Sequence, residues 1–219
     1  MTTSLPKFHL YHLFPSSIYA VKRDLIVIEE EEEKKEIEDL MKEMHKVGDL
    51  DYLTDNTYIF DTKLKNLKEF CEQHIKMYGE ELLNPVGELD FYITQSWLNM
   101  IEPGGHILKH YHENSIISGV YYSSTVEDDK ILFYDPNYKR EKCMIKIQPK
   151  TPTLANGSYI QAVEIDNGIL LLFPSWLEHA VEPNLKATTN RISISFNVFA
   201  KGNFGTKGLL SELTLPDPR

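Results

Sequence analysis

From residue 86 to residue 200 the chain is a succession of short apolar or alternating runs, each closed by a turn-forming cluster, with no helical period between them. The runs fall at 89–101, 116–124, 130–134, 143–148, 158–165, 168–173, 178–182 and 191–199. They are separated by Pro103-Gly104-Gly105, Asp135-Pro136-Asn137, Asn156-Gly157 and Asp166-Asn167-Gly168 among others. Parallel strands need a crossover of a dozen or more residues, usually helical, and none is available here. About eight short strands must therefore pair antiparallel, as a sandwich or a barrel.

The first 85 residues have a different texture. Residues 29–47 are rich in Glu and Lys, with Ile37, Leu40, Met41, Met44 and Val47 at helical spacing, which predicts an amphipathic helix. The acidic run Glu29–Glu33 reads as its solvated start, where negative charge suits the helix dipole. Asp61 or Thr62 would cap a second helix carrying Leu64, Leu67, Cys71, His74 and Tyr78 on one stripe, His74 being a core-edge residue. The fold class expected is mainly β with N-terminal α-helices (α+β), built on a double-stranded jelly-roll core with the helices packed outside. One domain should span 1–219: a helical support region over 1–85, a jelly-roll core over 86–202 and a tail over 203–219.

Charge and cysteine content exclude several classes of function. A net charge of −10 argues against a broad phosphate-binding surface, so nucleic acid is not an expected partner, although a local basic groove stays open. The two cysteines, Cys71 and Cys143, form no C-x-x-C pair, which points to a reducing, cytoplasmic setting. Residues 1–17 lack the apolar stretch of a signal peptide, and no run approaches membrane-spanning length. A homodimer is the default expectation for quaternary state. No nucleophilic triad, phosphate loop or paired-cysteine zinc pattern occurs.

The chemistry-bearing residues sit in the strand-rich part. His110-Tyr111-His112 places two imidazoles on one side of extended backbone, and His179 supplies a third from a distant strand. Three imidazoles on one face of a metal leave the opposite positions open, the layout of a non-haem iron oxygenase. The last strand then alternates cleanly. Arg191, Ser193, Ser195 and Asn197 are polar, while Ile192, Ile194, Phe196 and Val198 are apolar. With helices covering the apolar side, the polar side would line a cavity.

Gly104, five residues, then His110-x-His112 resembles the first cupin motif, and Gly168 through Pro174 to His179 resembles the second. The glutamate that the cupin pattern wants is absent, since 116 and 117 are isoleucines, and Trp176 stands where it wants glycine. Arg191-x-Ser193, twelve residues past His179, instead resembles the carboxylate anchor of 2-oxoglutarate-dependent Fe(II) oxygenases. A guanidinium can pair with a carboxylate through two parallel hydrogen bonds, and a hydroxyl two residues on can add a third.

Asn99 stands where the alkylation-repair branch of those oxygenases has a cosubstrate-contacting Asn. Ser118-Gly119-Val120-Tyr121-Tyr122 resembles the prolyl-hydroxylase strand whose second tyrosine reaches the cosubstrate. The closest resemblance is to a 2-oxoglutarate/Fe(II) oxygenase family of marine bacteria and phages. It is carried by Trp97-x-Asn99, H-x-H, Ser118 to Tyr122, Asp135-Pro136, Phe173-Pro174-Ser175-Trp176 to His179, and Arg191-Ile192-Ser193. It spans residues 95–200, and more faintly Leu13-Phe14-Pro15.

That resemblance implies a dioxygenase, most simply a hydroxylase, of an unidentified small-molecule or peptidyl substrate. It would use Fe(II), 2-oxoglutarate and O2, with ascorbate as a stimulant. His110, His112 and His179 would be the metal ligands and catalytic centre, and Arg191, Ser193, Asn99 and Tyr122 would bind the cosubstrate. The usual facial triad has a carboxylate where His112 stands. Glu113 is the alternative ligand, though strand alternation turns it away unless a bulge re-aims it. Trp97, Trp176 and Phe133 are taken as core, Asp135 as a turn residue and His106 as peripheral to the metal. The rival readings are a cupin-like metalloenzyme that uses no 2-oxoglutarate, and a jelly-roll interaction module.

Overall fold

The computed structural model of the chain describes residues 15–24, 27–136, 150 and 159–216, the side chains of 27–30 excepted. Leu13-Phe14, the strand expected at 143–148, Cys143 and the Asn156-Gly157 turn lie outside the described residues.

Two antiparallel sheets face each other. The major sheet has eight strands: β1 (Tyr19–Lys22), β2 (Met44–Lys46), β3 (Asp51–Thr54), β4 (Leu89–Ile101), β6 (Ile117–Ser124), β9 (Ile169–Pro174), β11 (Arg191–Phe204) and β12 (Leu213–Leu215). Their order is β1-β9-β6-β11-β4-β3-β2, with β12 also pairing β11. The minor sheet runs β5 (Ile107–His110), β10 (His179–Val181), β7 (Lys130–Tyr134) and β8 (Ile160–Glu164). This is the double-stranded β-helix read from the strand pattern.

The helices α1 (Val27–Met41) and α2 (Lys65–Tyr78) cover the outer face of the major sheet. Their stripes, Ile37 and Leu40 on α1 and Leu67, Cys71, Ile75 and Tyr78 on α2, are buried with Leu98, Leu170, Leu172, Ile194, Phe196 and Val198. A second core fills the space between the sheets with Val120, Tyr122, Ile131, Phe133, Leu171, Phe173 and Leu177. The central strand β11 thus presents apolar residues to the helices and polar ones to the interior, as its alternation requires.

The N-terminal region departs most from the sequence reading. The helix expected over 29–47 ends at Met41, and Met44 to Lys46 forms a hairpin strand with β3, which in turn pairs β4. Three residues of helical period at the end of that run yield to a sheet edge that needed a partner, tertiary pairing outweighing propensity. Asp61 and Thr62 do not cap α2 either. Ile59–Asp61 form a 3-10 turn, and Leu64 takes the cap position at φ 56 with its backbone N–H bonded to Glu36 Oε2 at 2.7 Å. Complete burial of the Leu64 side chain offsets that left-handed backbone. The stretch expected to be a tail carries β12, and β11 continues to Phe204, five residues beyond its expected end.

Candidate functional site

The rows of the major sheet explain which residues meet. Side chains directly opposite one another on neighbouring strands share a face. Ser193 on β11 lies opposite Asn99 on β4 and Tyr122 on β6, so Asn99, Ser193 and Tyr122 form one row across three strands. Arg191 is two residues along β11 and therefore on the same face. Ser195 stands opposite Trp97 in the next row, and Asn197 follows in the row after. All of these side chains line one cavity of about 1110 Å³ between the sheets.

The minor sheet supplies the other wall. His179 and His110 are register partners on β10 and β5, their rings 4.3 Å apart, and His112 follows two residues later where its N–H bonds to Ser175 O at 3.0 Å. The candidate ligand atoms of His110, His112 and His179 all lie within 4.8 Å of one another. Each Nδ1 is already committed. His110 donates to Leu108 O at 2.8 Å, His179 to Leu177 O at 2.9 Å, and His112 to the side-chain oxygen of Asn197. An oxygen acceptor at Nδ1 fixes the proton there, so Nε2 carries the free lone pair on all three rings. This is the tautomer and the ring anchoring that a metal ligand needs, and the three residues could hold a metal.

Electrostatics agree with that donor set. His179 rests against Phe173 and Phe133, and burial, reinforced by the neighbouring His110, pushes its pKa down to about 3. Burial also lowers His112, with His110 adding to the effect and the Asn197 contact opposing it. Neutral imidazoles are what a cation requires. Glu113 is exposed, its carboxylate accepting from Tyr111 Oη at 3.3 Å, and it stands outside the three-histidine group.

Further residues emerge that sequence reasoning left unassigned. Asp129, in the turn before β7, accepts from Arg191 Nε at 3.0 Å, both side chains being almost wholly buried. The guanidinium lies over the Tyr122 ring, 5.0 Å from its centroid. Burial pushes the Tyr122 phenol up to about 12, with Arg191 opposing and Asp129 reinforcing the shift, so it stays a neutral donor. Its Oη is buried without a partner among the described residues. Asn99 donates through Nδ2 to Ser195 Oγ at 2.8 Å and accepts from Trp97 Nε1 at 3.1 Å, which leaves one amide hydrogen for the cavity. Only the alternation of β11 hinted at Asn197, and no spacing could have linked Asp129 to an arginine 62 residues away.

Of the three aromatics taken as core, Phe133 is buried between the sheets. Trp97 instead stacks over His112 at 5.8 Å and 25° in the cavity wall, where its N–H meets Asn99, and Trp176 is 55% exposed. Both had been expected inside on size alone, but Trp97 sits in the polar row of β4 and Trp176 in a turn. His106 lines the cavity outside the histidine group, and Asp135, expected as a turn residue, bonds through its backbone N–H to Tyr159 O at 2.7 Å, next to the Tyr134–Ile160 rung of β7 and β8.

Residues 95–197 match a family model described as "Putative 2OG-Fe(II) oxygenase". The match covers 103 of the chain's 219 residues. Solved structures share its fold at low identity. A prolyl hydroxylase of Trichoplax adhaerens in complex with a hypoxia inducible factor peptide fragment is 15% identical over 83% of each chain, with a TM-score of 0.56. HygX of Streptomyces hygroscopicus, with nickel, 2-oxoglutarate and hygromycin B bound, is 11% identical over 84% of this chain and 82% of its own, at 0.55. SnoN, a non-heme alpha ketoglutarate dependent epimerase from nogalamycin biosynthesis, is 12% identical over 88% of this chain and 80% of its own, at 0.59. No curated protein matches the sequence. The matched span contains His110, His112, His179, Arg191 and Ser193 of this chain. No helix among its described residues is long and apolar enough to cross a membrane.

Proposed function

We propose that this chain is a 2OG-Fe(II) oxygenase, a hydroxylase of a small-molecule or peptidyl substrate working in a cytoplasmic setting, with a three-histidine iron site in place of the usual two histidines and a carboxylate. The observation that carries the reading is the convergence of three imidazoles, each with its Nδ1 committed to an oxygen acceptor, on a cavity that the Arg191, Ser193, Asn99 and Tyr122 row also lines. His110, His112 and His179 hold the metal, each ring locked by the acceptor at its Nδ1. Arg191 and Ser193 take the far carboxylate of 2-oxoglutarate, and the unpartnered Tyr122 hydroxyl adds a donor to the same end. Asn99 offers its remaining amide hydrogen. Bound iron supplies the oxidising chemistry by activating O2 against 2-oxoglutarate, which is split to succinate and carbon dioxide. Phe133 and Phe173 keep the floor beneath His179 dry. The peptide and hygromycin B held by the two structural neighbours support either a peptidyl or a small-molecule substrate.

The test is succinate release with Fe(II), ascorbate and 2-oxoglutarate across a metabolite and peptide screen, run beside iron retention measured by elemental analysis. Wild type should retain iron and release succinate, His110→Ala and His179→Ala should lose both, and Glu113→Gln should behave as wild type. If Glu113→Gln abolishes iron binding while His112→Ala is mild, the three-histidine assignment is wrong.

A further inference from the structure

The carboxylate of Asp129 lies at the foot of the cosubstrate end of the cavity, and its placement is asymmetric. It takes only Nε of Arg191, at 3.0 Å through Oδ2, in a pair whose side chains are 6% and 4% exposed. A guanidinium presents two edges that can each grip a carboxylate side-on, one running from Nε to a neighbouring Nη and one spanning the two Nη groups. Occupying Nε removes the first and leaves the second, and Arg191 is among the residues that line the cavity. The guanidinium lies over the Tyr122 ring, and the Asp129 bond directs its Nε edge.

Asp129 itself is held from the backbone. Its N–H donates to Val126 O at 3.3 Å and its carbonyl accepts from Ile165 N at 3.1 Å, which ties the turn to the end of the minor sheet. An acceptor so anchored can set the direction of a long side chain. Charge works the other way: a buried anion beside the anchor repels an incoming carboxylate and weakens its binding.

Resting on the reading of Arg191 as the cosubstrate anchor, we propose that Asp129 is a positioning residue for 2-oxoglutarate, holding Arg191 by Nε so that its two Nη groups face the far carboxylate. It acts through hydrogen-bond geometry and against its own charge. That separates it from a competitor that plugs the anchor, because removal of a competitor tightens cosubstrate binding and removal of a positioner loosens it.

The experiment uses the full chain loaded with Mn(II), which avoids turnover. The affinity for 2-oxoglutarate is titrated beside that for oxalate, a chelator of the same metal face with no far carboxylate. Asp129→Leu should weaken 2-oxoglutarate by about tenfold, the size of one hydrogen bond to a charged group, and leave oxalate unchanged. Asp129→Asn, which keeps an acceptor for Nε and removes the charge, should bind 2-oxoglutarate as well as wild type or better. Where Asp129→Leu fails to fold, Asp129→Ser takes its place with the same expectation. Tighter 2-oxoglutarate binding in Asp129→Leu, an equal loss for oxalate, or a tenfold loss in Asp129→Asn would each overturn the proposal. Arg191→Lys serves as the reference arm. If it leaves 2-oxoglutarate affinity intact, the anchor itself is misassigned and the role of Asp129 falls with it; if Arg191→Lys weakens binding and Asp129→Leu does not, only the positioning role fails.

Discussion

The two faces of the major sheet each bury an arginine–carboxylate pair, and the two pairs are nearly alike as local chemistry. On the outer face Arg23, just past β1, meets Glu33 of α1 at 2.8 Å, with side chains 7% and 8% exposed and the guanidinium 5.4 Å from the Phe70 ring centroid. On the inner face Arg191 meets Asp129 at 3.0 Å, over the Tyr122 ring. What differs is the surroundings. α1 and α2 pack over the first pair beside the main apolar core, whereas the second opens on the cavity that holds the three histidines. Burial and pairing alone therefore do not mark a functional charge. The mark is a charged group whose remaining donors face open volume.

The comparison breaks most visibly through stability. Arg23→Met leaves Glu33 buried without its cation, and breaking a buried pair from one side costs roughly 3–5 kcal/mol. Denaturant unfolding should register that loss, while Mn(II) and 2-oxoglutarate affinities of the folded protein stay at wild-type values. A loss of cosubstrate affinity of similar size would mean that the outer pair is coupled to the site and that the two faces are not independent.

On the inner face the same kind of change should read out in binding. Arg191→Lys keeps a cation for Asp129 but loses the planar fork, so stability changes little and 2-oxoglutarate affinity falls by about 1.5–3 kcal/mol, or roughly ten- to a hundredfold. Isothermal titration of the Mn(II)-loaded protein measures it. Equal affinity in the two proteins would remove Arg191 from the site.

Asn197 tests the metal side of the same wall. Its side-chain oxygen holds His112 at Nδ1, and loss of such a partner typically costs at least about tenfold in metal affinity. Asn197→Ala should show that loss in a competition assay with a metallochromic chelator, with the fold intact. An unchanged metal affinity would show that the His112 ring is oriented by Trp97 stacking alone.

How much of this was legible beforehand follows from the range of each interaction. β4 and β7 were found at their true bounds because alternation and turn residues are local signals, and the polar face of β11 gave four cavity residues from one strand. The histidines were readable because two stand one residue apart in sequence and the third precedes a legible strand. β2 was hidden because Met44 and Val47 continue the helical period of α1, and only pairing with β3, which itself pairs β4, makes that segment a sheet edge. Asp129 and the true place of Trp97 depend on contacts with distant residues, which a single sequence does not encode in spacing.

Trp97 carries the smallest expected effect and separates stacking from hydrogen bonding in the cavity wall. Its ring lies over His112, and its N–H bonds to Asn99, whose amide in turn reaches Ser195. Trp97→Phe keeps an aromatic face against the imidazole and removes only the donor, so Asn99 Oδ1 loses one partner at a cost of about 0.5–1.5 kcal/mol. The cavity can admit water to that oxygen, which puts the expected value near the lower end. Thermal unfolding should therefore shift by a few degrees at most, metal affinity should hold, and 2-oxoglutarate affinity should fall slightly as Asn99 gains freedom. A metal loss as large as that of Asn197→Ala would instead make the Trp97–Asn99–Ser195 chain a support of the metal centre, joining the two walls that the rest of the geometry keeps separate.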